Sequence, residues 1–113
     1  MKYSWIVIVG LLISSFFSYE VKAATGIDLN EICSGPVGPQ GRAFCEGYFV
    51  GVLDVLAIKG VNSILGICAP KNLSISQVEA IFKNWFNKFP KIWHRPAILP
   101  TMAGLRDAFP CKN

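Results

Sequence analysis

Between Val78 and Phe89 the apolar residues Val78, Ile81, Phe82, Trp85, Phe86 and Phe89 recur at steps of three and four. That period marks one face of an α-helix. Glu79, Lys83, Asn84, Asn87 and Lys88 fill the other side. Ser74 and Gln77, just ahead of the run, have the spacing of a capping box. Pro90 ends the pattern. Arg42 to Lys59 (RAFCEGYFVGVLDVLAIK) predicts a longer helix, with Gly60 as its stop. It is apolar around most of its circumference, which places it at the centre of the molecule with other helices wrapped around it. Gly47 and Gly51 lie one turn apart on a stripe that continues through Asp54 and Ile58. Glycine weakens a helix, so another backbone is expected to approach closely there.

The remaining elements are shorter. Asp28-Leu29-Asn30-Glu31 predicts a helix start with Asp28 as cap and Glu31 reaching back, and Ser34-Gly35-Pro36 ends that helix. Gly35 to Gly41 (GPVGPQG) has neither period and is expected as a loop. Val61 to Ile67 is an apolar connector, with a short strand as the lesser alternative. After Pro96, Ile98, Met102, Leu105 and Phe109 form the stripe of a last helix. Pro100 is tolerated there if the helix starts near it. The expected fold is all-α: a small disulfide-stapled bundle of about four helices with a central apolar helix.

Met1 to Ala23 has the three parts of an export signal: Lys2, an apolar stretch from Trp5 to Phe17, and Val21-Lys22-Ala23 ahead of a cut before Ala24. The apolar run falls short of the ~18 residues of a spanning helix. The domains are therefore a signal peptide over 1–23 and a helical domain over 24–113. Of 11 basic and seven acidic residues, Lys2, Lys22 and Glu20 leave with the leader, so nine and six remain, a net charge of +3. That mild excess demands no nucleic acid and permits a moderately acidic partner. A domain this small buries only roughly 60–65% of its unfolded surface. Two disulfides, worth about 2–4 kcal/mol each, would matter.

Cys33, Cys45, Cys68 and Cys111 are spaced by 12, 23 and 43 positions, and His94 is the only histidine. That spacing does not suit a tetrahedral metal site. An even count in an exported chain points to disulfides and leaves no thiolate for catalysis. If the last two long helices form a hairpin, Cys68 and Cys111 become neighbours and Cys33 bridges to Cys45. Cys33–Cys68 with Cys45–Cys111 is the other arrangement kept open. Asp54 and Glu46, on a helix expected to be buried, read as structural, with Asp54 capping a neighbouring helix end. No phosphate loop or serine elbow is present, so no enzyme and no cofactor is expected. Lys91-Ile92-Trp93-His94-Arg95, between two prolines, has the composition of a recognition loop, with Lys91, Trp93, His94 and Arg95 as partner-binding residues. In the competing reading, Ile92 and Trp93 fold back over the hairpin end.

Phe44-Cys45-x-Gly47-Tyr48-x-x-Gly51-x-x-Asp54, Cys68-x-Pro70, Ser74-x-x-Gln77 and Ala108-Phe109-Pro110-Cys111 together resemble the Rap/Tai immunity family. The likeness covers nearly all of the exported domain. It implies a periplasmic helical protein that neutralises a peptidoglycan amidase toxin, a papain-like cysteine peptidase delivered by type VI secretion. It further implies a homodimer that inserts a loop into the toxin's active-site groove, Lys91 to Arg95 being the first choice and Gly35 to Gly41 the second. Cys45, Gly47, Tyr48, Gly51, Asp54, Cys68 and Cys111 are then scaffold positions. The alternative function is a small acid-activated periplasmic chaperone, for which one histidine and six carboxylates make a poor trigger.

Overall fold

The computed structural model describes residues 22–35 and 38–112; the expected leader lies outside the described residues except for Lys22 and Ala23. Among the described residues five helices form: α1 (Gly26–Ser34), α2 (Gly38–Leu56), α3 (Val61–Leu65), α4 (Ile75–Lys88) and α5 (Ile98–Ala108), with a 3₁₀ turn at Pro90–Ile92. The fold is all-α, as expected. Two isolated β-bridges, Thr25 with Pro96 and Ile67 with Pro110, are its only extended pairings among the described residues. No helix described is long and apolar enough to cross a membrane.

α1 starts three residues before the expected position. Asp28 N–H donates to Thr25 Oγ1 at 3.2 Å and Thr25 N–H to Asp28 Oδ2 at 3.0 Å, a reciprocal box with Thr25, not Asp28, as cap. α2 likewise begins early, so Gly38 to Gly41 is helical and not loop. Pro39 sits in its first turn, where the missing N–H has no intrahelical partner to lose. At its other end, α2 stops at Leu56, short of Lys59. Gly60 (φ +88°) turns the chain into the single-turn α3, which Gly66 (φ +68°) closes. With its amide nitrogen turned inward, Asn62 donates to Leu56 O at 3.1 Å and Ile67 O at 3.2 Å, occupying a carbonyl that the end of α2 leaves unpaired. The expected Ser74–Gln77 box opens α4.

Leu29, Cys33, Cys45, Phe49, Val52, Val78, Phe82, Phe86 and Leu105 build the core. Phe49, Phe82 and Phe86 run through it with ring centroids 5.8 and 5.7 Å apart. Disulfides join Cys33 to Cys45 and Cys68 to Cys111, the first holding α1 to α2 and the second holding the end of α5 to the stretch after α3. The most extensive packing is between α4 and α5. α5 turns Pro100, Thr101, Gly104 and Leu105 inward and leaves Ile98 exposed, so its buried stripe is rotated from the one expected. Pro100 falls in the first turn and breaks no ladder bond. Small side chains let the two helices close: a methyl added at Gly104 would lie 2.9 Å from Ile81 Cγ2 and 3.3 Å from Ile81 O and Trp85 Cβ. The Thr101 hydroxyl, fully buried, donates to Ala97 O at 2.8 Å.

Candidate functional site

The loop that follows α4 is welded to the start of α1. Phe89 N–H bonds Trp85 O and Phe86 O, and Pro90 starts the 3₁₀ turn. Trp93 then folds inward. Its ring stacks on Phe86, 4.8 Å between centroids and 10° from parallel, and its Nε1 donates to Phe86 O at 2.7 Å. The first two N–H groups of α1, which no intrahelical carbonyl can satisfy, find the loop instead. Ile27 N–H donates to Trp93 O at 3.1 Å and Gly26 N–H to Arg95 O at 2.9 Å. Ala97 N–H adds a bond to Ala24 O at 2.8 Å. Gly26 suits this approach, since a β-carbon there would lie a tight 3.2 Å from Trp93 O.

The expected partner-binding residues therefore separate. Lys91, His94 and Arg95 are exposed, while Trp93 is half-buried and holds the loop's shape, as in the competing reading. The Gly35–Gly41 segment is partly consumed by the start of α2, and Pro36 and Val37 lie outside the described residues.

α2 is not wrapped on all sides. Cys45, Phe49, Val52 and Leu56 face the core, but Phe44 is 50% exposed, and Val50 and Val55 are also exposed. Among the described residues, a β-carbon at Gly47 or Gly51 would have no neighbour within 4 Å. The close approach expected there occurs at Gly104. Asp54 is exposed and caps no helix end among the described residues, which corrects its expected buried role. Tyr48 is half-buried, edge-on to Phe49 at 5.6 Å, and burial pushes its phenol above the ordinary value. Phe44, Gly47, Gly51 and Val55 thus make a second stripe on the face away from the core, and Ile58, just past the end of α2, is exposed too.

A charged cluster went unread in the sequence. Glu79, placed there on the polar side of α4, is only 7% exposed. Arg42 grips its carboxylate with two bonds of 3.2 and 2.7 Å, and Lys83 reaches it at 2.8 Å. Arg42 also bonds Glu46 at 3.0 Å. The Arg42 hydrogen bonds hold the Glu79 carboxyl below its usual range against the opposing effect of burial. One signal was available: Glu79, Phe82 and Phe86 fall at steps of three and four, on the buried stripe itself. The Glu79 carboxylate and the Cys33 and Cys45 sulfurs lie within 4.8 Å of one another. These sulfurs are bonded to each other and the carboxylate is held by two cations, so the oxidised protein offers no metal ligand set there.

A cleft of about 510 Å³ opens between the end of α2, α3 and the 69–73 stretch, with Asp54 and Lys71 as its charged lining. Neither is a nucleophile with a base beside it. All four cysteines are in disulfides, so no thiolate stands near His94.

A rigid helical scaffold, cross-linked twice, with a fixed loop and an uncovered helix face, defines a binding module. The chain belongs to the family of Rap1a immunity proteins, whose model matches residues 25–111. It is accordingly a toxin-immunity protein, with a toxin as binding partner. No curated protein and no solved structure matches the chain.

Proposed function

We propose that the protein acts in the periplasm, where it binds a peptidoglycan amidase toxin delivered by type VI secretion and occludes its active site. The observation that carries this is the family match over 25–111, read with the loop that α1 holds in place. A loop already ordered loses little conformational entropy on docking, so less of its contact energy is offset by ordering it. Two disulfides suit an oxidising compartment. A leader cut before Ala24 would leave the Thr25 cap and the Ala24–Ala97 bond in place. Inhibition is steric and uses no cofactor.

The uncovered face of α2 suits a second copy of the chain. Around a two-fold axis at Gly51, Phe44 of each copy meets Ile58 of the other, and Val55 seats over Gly47. Asp54 then falls beside Tyr48 across the seam.

Co-expression with an exported amidase toxin tests the reading: the full chain should rescue growth and a leaderless chain should not. In the purified complex, the toxin's catalytic cysteine should resist alkylation by iodoacetamide. A tight complex whose toxin cysteine still alkylates freely rules out occlusion. Sedimentation of wild type and Val55→Arg tests the dimer separately, the variant being expected to run as a monomer.

A further inference from the structure

From Ala80 to Arg106 the chain contains no acidic residue but five basic ones, Lys83, Lys88, Lys91, Arg95 and Arg106, together with His94. Two of the five are engaged: Lys83 pairs with Glu79, and Arg106 Nε donates to Leu65 O at 2.9 Å. Lys88, Lys91 and Arg95 are exposed and make no ion pair among the described residues. Asp107, next along the chain, has a carboxylate oxygen accepting from Trp85 Nε1 at 2.6 Å. Asp107 keeps its negative charge and lines one cleft with Lys88, so the positive excess of this end is carried chiefly by Lys91 and Arg95, on a backbone fixed by the α1 bonds.

We propose that this cationic end is a docking surface for an acidic face of a protein partner, and that its charge steers association. Three classes of partner are attracted by positive charge, and the aromatic residues discriminate among them. An anionic membrane surface takes aromatic side chains that are free to insert. Single-stranded nucleic acid takes ring faces on which bases can stack. Here Trp93 is stacked on Phe86, and Phe89 lies against Trp85 with centroids 4.0 Å apart. Phe89 is partly exposed but held against Trp85, so the surface offers charge beside a small apolar area, both at fixed positions, which matches a complementary acidic protein face. The proposal rests on the toxin reading for the identity of the partner only; the surface chemistry stands without it.

Two arms test it, with the full exported domain. In the first, a short oligoglutamate peptide is titrated into ¹⁵N-labelled protein. Shifts should concentrate on residues 88–95 and vanish in the Lys88→Gln/Lys91→Gln/Arg95→Gln variant. In the second, association with a catalytically inactive form of the toxin that the protein neutralises is timed between about 0.01 and 0.15 M salt, where the Debye length shrinks from ~30 to ~8 Å. The wild-type on-rate should fall at least about tenfold, and the triple variant should begin that much slower at low salt and respond little. The variant's unchanged thermal unfolding shows that the fold is intact. Salt-independent association, or an unaffected triple variant, overturns the proposal while leaving toxin neutralisation standing. Binding of phosphatidylglycerol vesicles through these residues, without oligoglutamate shifts, overturns it in favour of a membrane. Failure of the wild-type protein to protect against any amidase toxin refutes the functional reading instead.

Discussion

Gly104, Gly47 and Gly51 are all helical, and one substitution to alanine separates them. Alanine gains about 0.8–1 kcal/mol of helix propensity over glycine at each. At Gly47 and Gly51 nothing among the described residues opposes that gain, because none of their atoms lies within 4 Å of the added carbon. At Gly104 the new methyl would sit 2.9 Å from Ile81 Cγ2, with Ile81 O and Trp85 Cβ at 3.3 Å. Ile81 is β-branched and stiff at χ1, and its carbonyl belongs to α4's ladder, so relief means moving α4 and α5 apart. Overpacking of this kind costs roughly 1–3 kcal/mol. Net of propensity, Gly104→Ala should lose about 1 kcal/mol, while Gly47→Ala and Gly51→Ala should each gain up to about 1 kcal/mol. Urea unfolding monitored by circular dichroism, at protein concentrations low enough to hold the monomer, reads all three. A Gly104→Ala protein as stable as Gly51→Ala would refute the claim that α4 and α5 meet at this glycine.

Three further outcomes follow from named contacts. Glu79, its carboxyl held low by Arg42, contributes stability that is complete above the ordinary value of 4.5 and is lost as pH falls through the lower folded value. Glu79→Gln should cost about 1–2 kcal/mol at neutral pH, discounted because Arg42 is half-exposed, and should flatten the acid limb of a stability–pH profile. Trp93→Ala should cost about 2–3 kcal/mol in thermal unfolding through the lost Phe86 stack and hydrogen bond; a change in toxin affinity with no change in stability would return Trp93 to the binding surface. Removing the Cys68–Cys111 bond as a Cys68→Ala/Cys111→Ala pair opens a loop of sequence separation 43 and should cost about 4 kcal/mol, against about 3 for Cys33–Cys45, on loop-closure grounds. Denaturant midpoints of the two double variants give that order.

What the sequence disclosed was local. The Ser74–Gln77 box and the stripe of α4 were readable because both signals lie within a few residues. Thr25-x-x-Asp28 and Asp28-x-x-Glu31 are equally good boxes as text. Only the first leaves Gly26 and Ile27 as the opening donors that the 93–95 carbonyls accept, and that pairing spans some seventy positions. The same limit hid Glu79, whose polar type outweighed its place on the buried stripe because its partner Arg42 lies on another helix. In α2 the error had a different source. An apolar circumference predicts cover on every side, but does not say whether the cover comes from the same chain.

That distinction bears on the residues that carry the family resemblance. Cys45, Cys68 and Cys111 have work inside the protomer, in its two disulfides. Gly47, Gly51 and Asp54 make no such contact among the described residues: two of them weaken the helix and all three are exposed. Next to them stand Phe44 and Val55, apolar and exposed, whereas the 88–95 end sets Lys88, Lys91 and Arg95 around the partly exposed Phe89. The chemistry of the two surfaces differs in the way that permanent and encountered interfaces differ. Apolar seams resemble a core cut in two and suit a constant companion; charged ones guide a partner met by diffusion. A dimer closed through α2 would use neither copy's Lys88, Lys91 nor Arg95, leaving both loops available for toxin. Salt should therefore slow toxin capture and leave the dimer's sedimentation unchanged. If raising salt dissociated the dimer while toxin association held constant, the two surfaces would have been assigned the wrong way round.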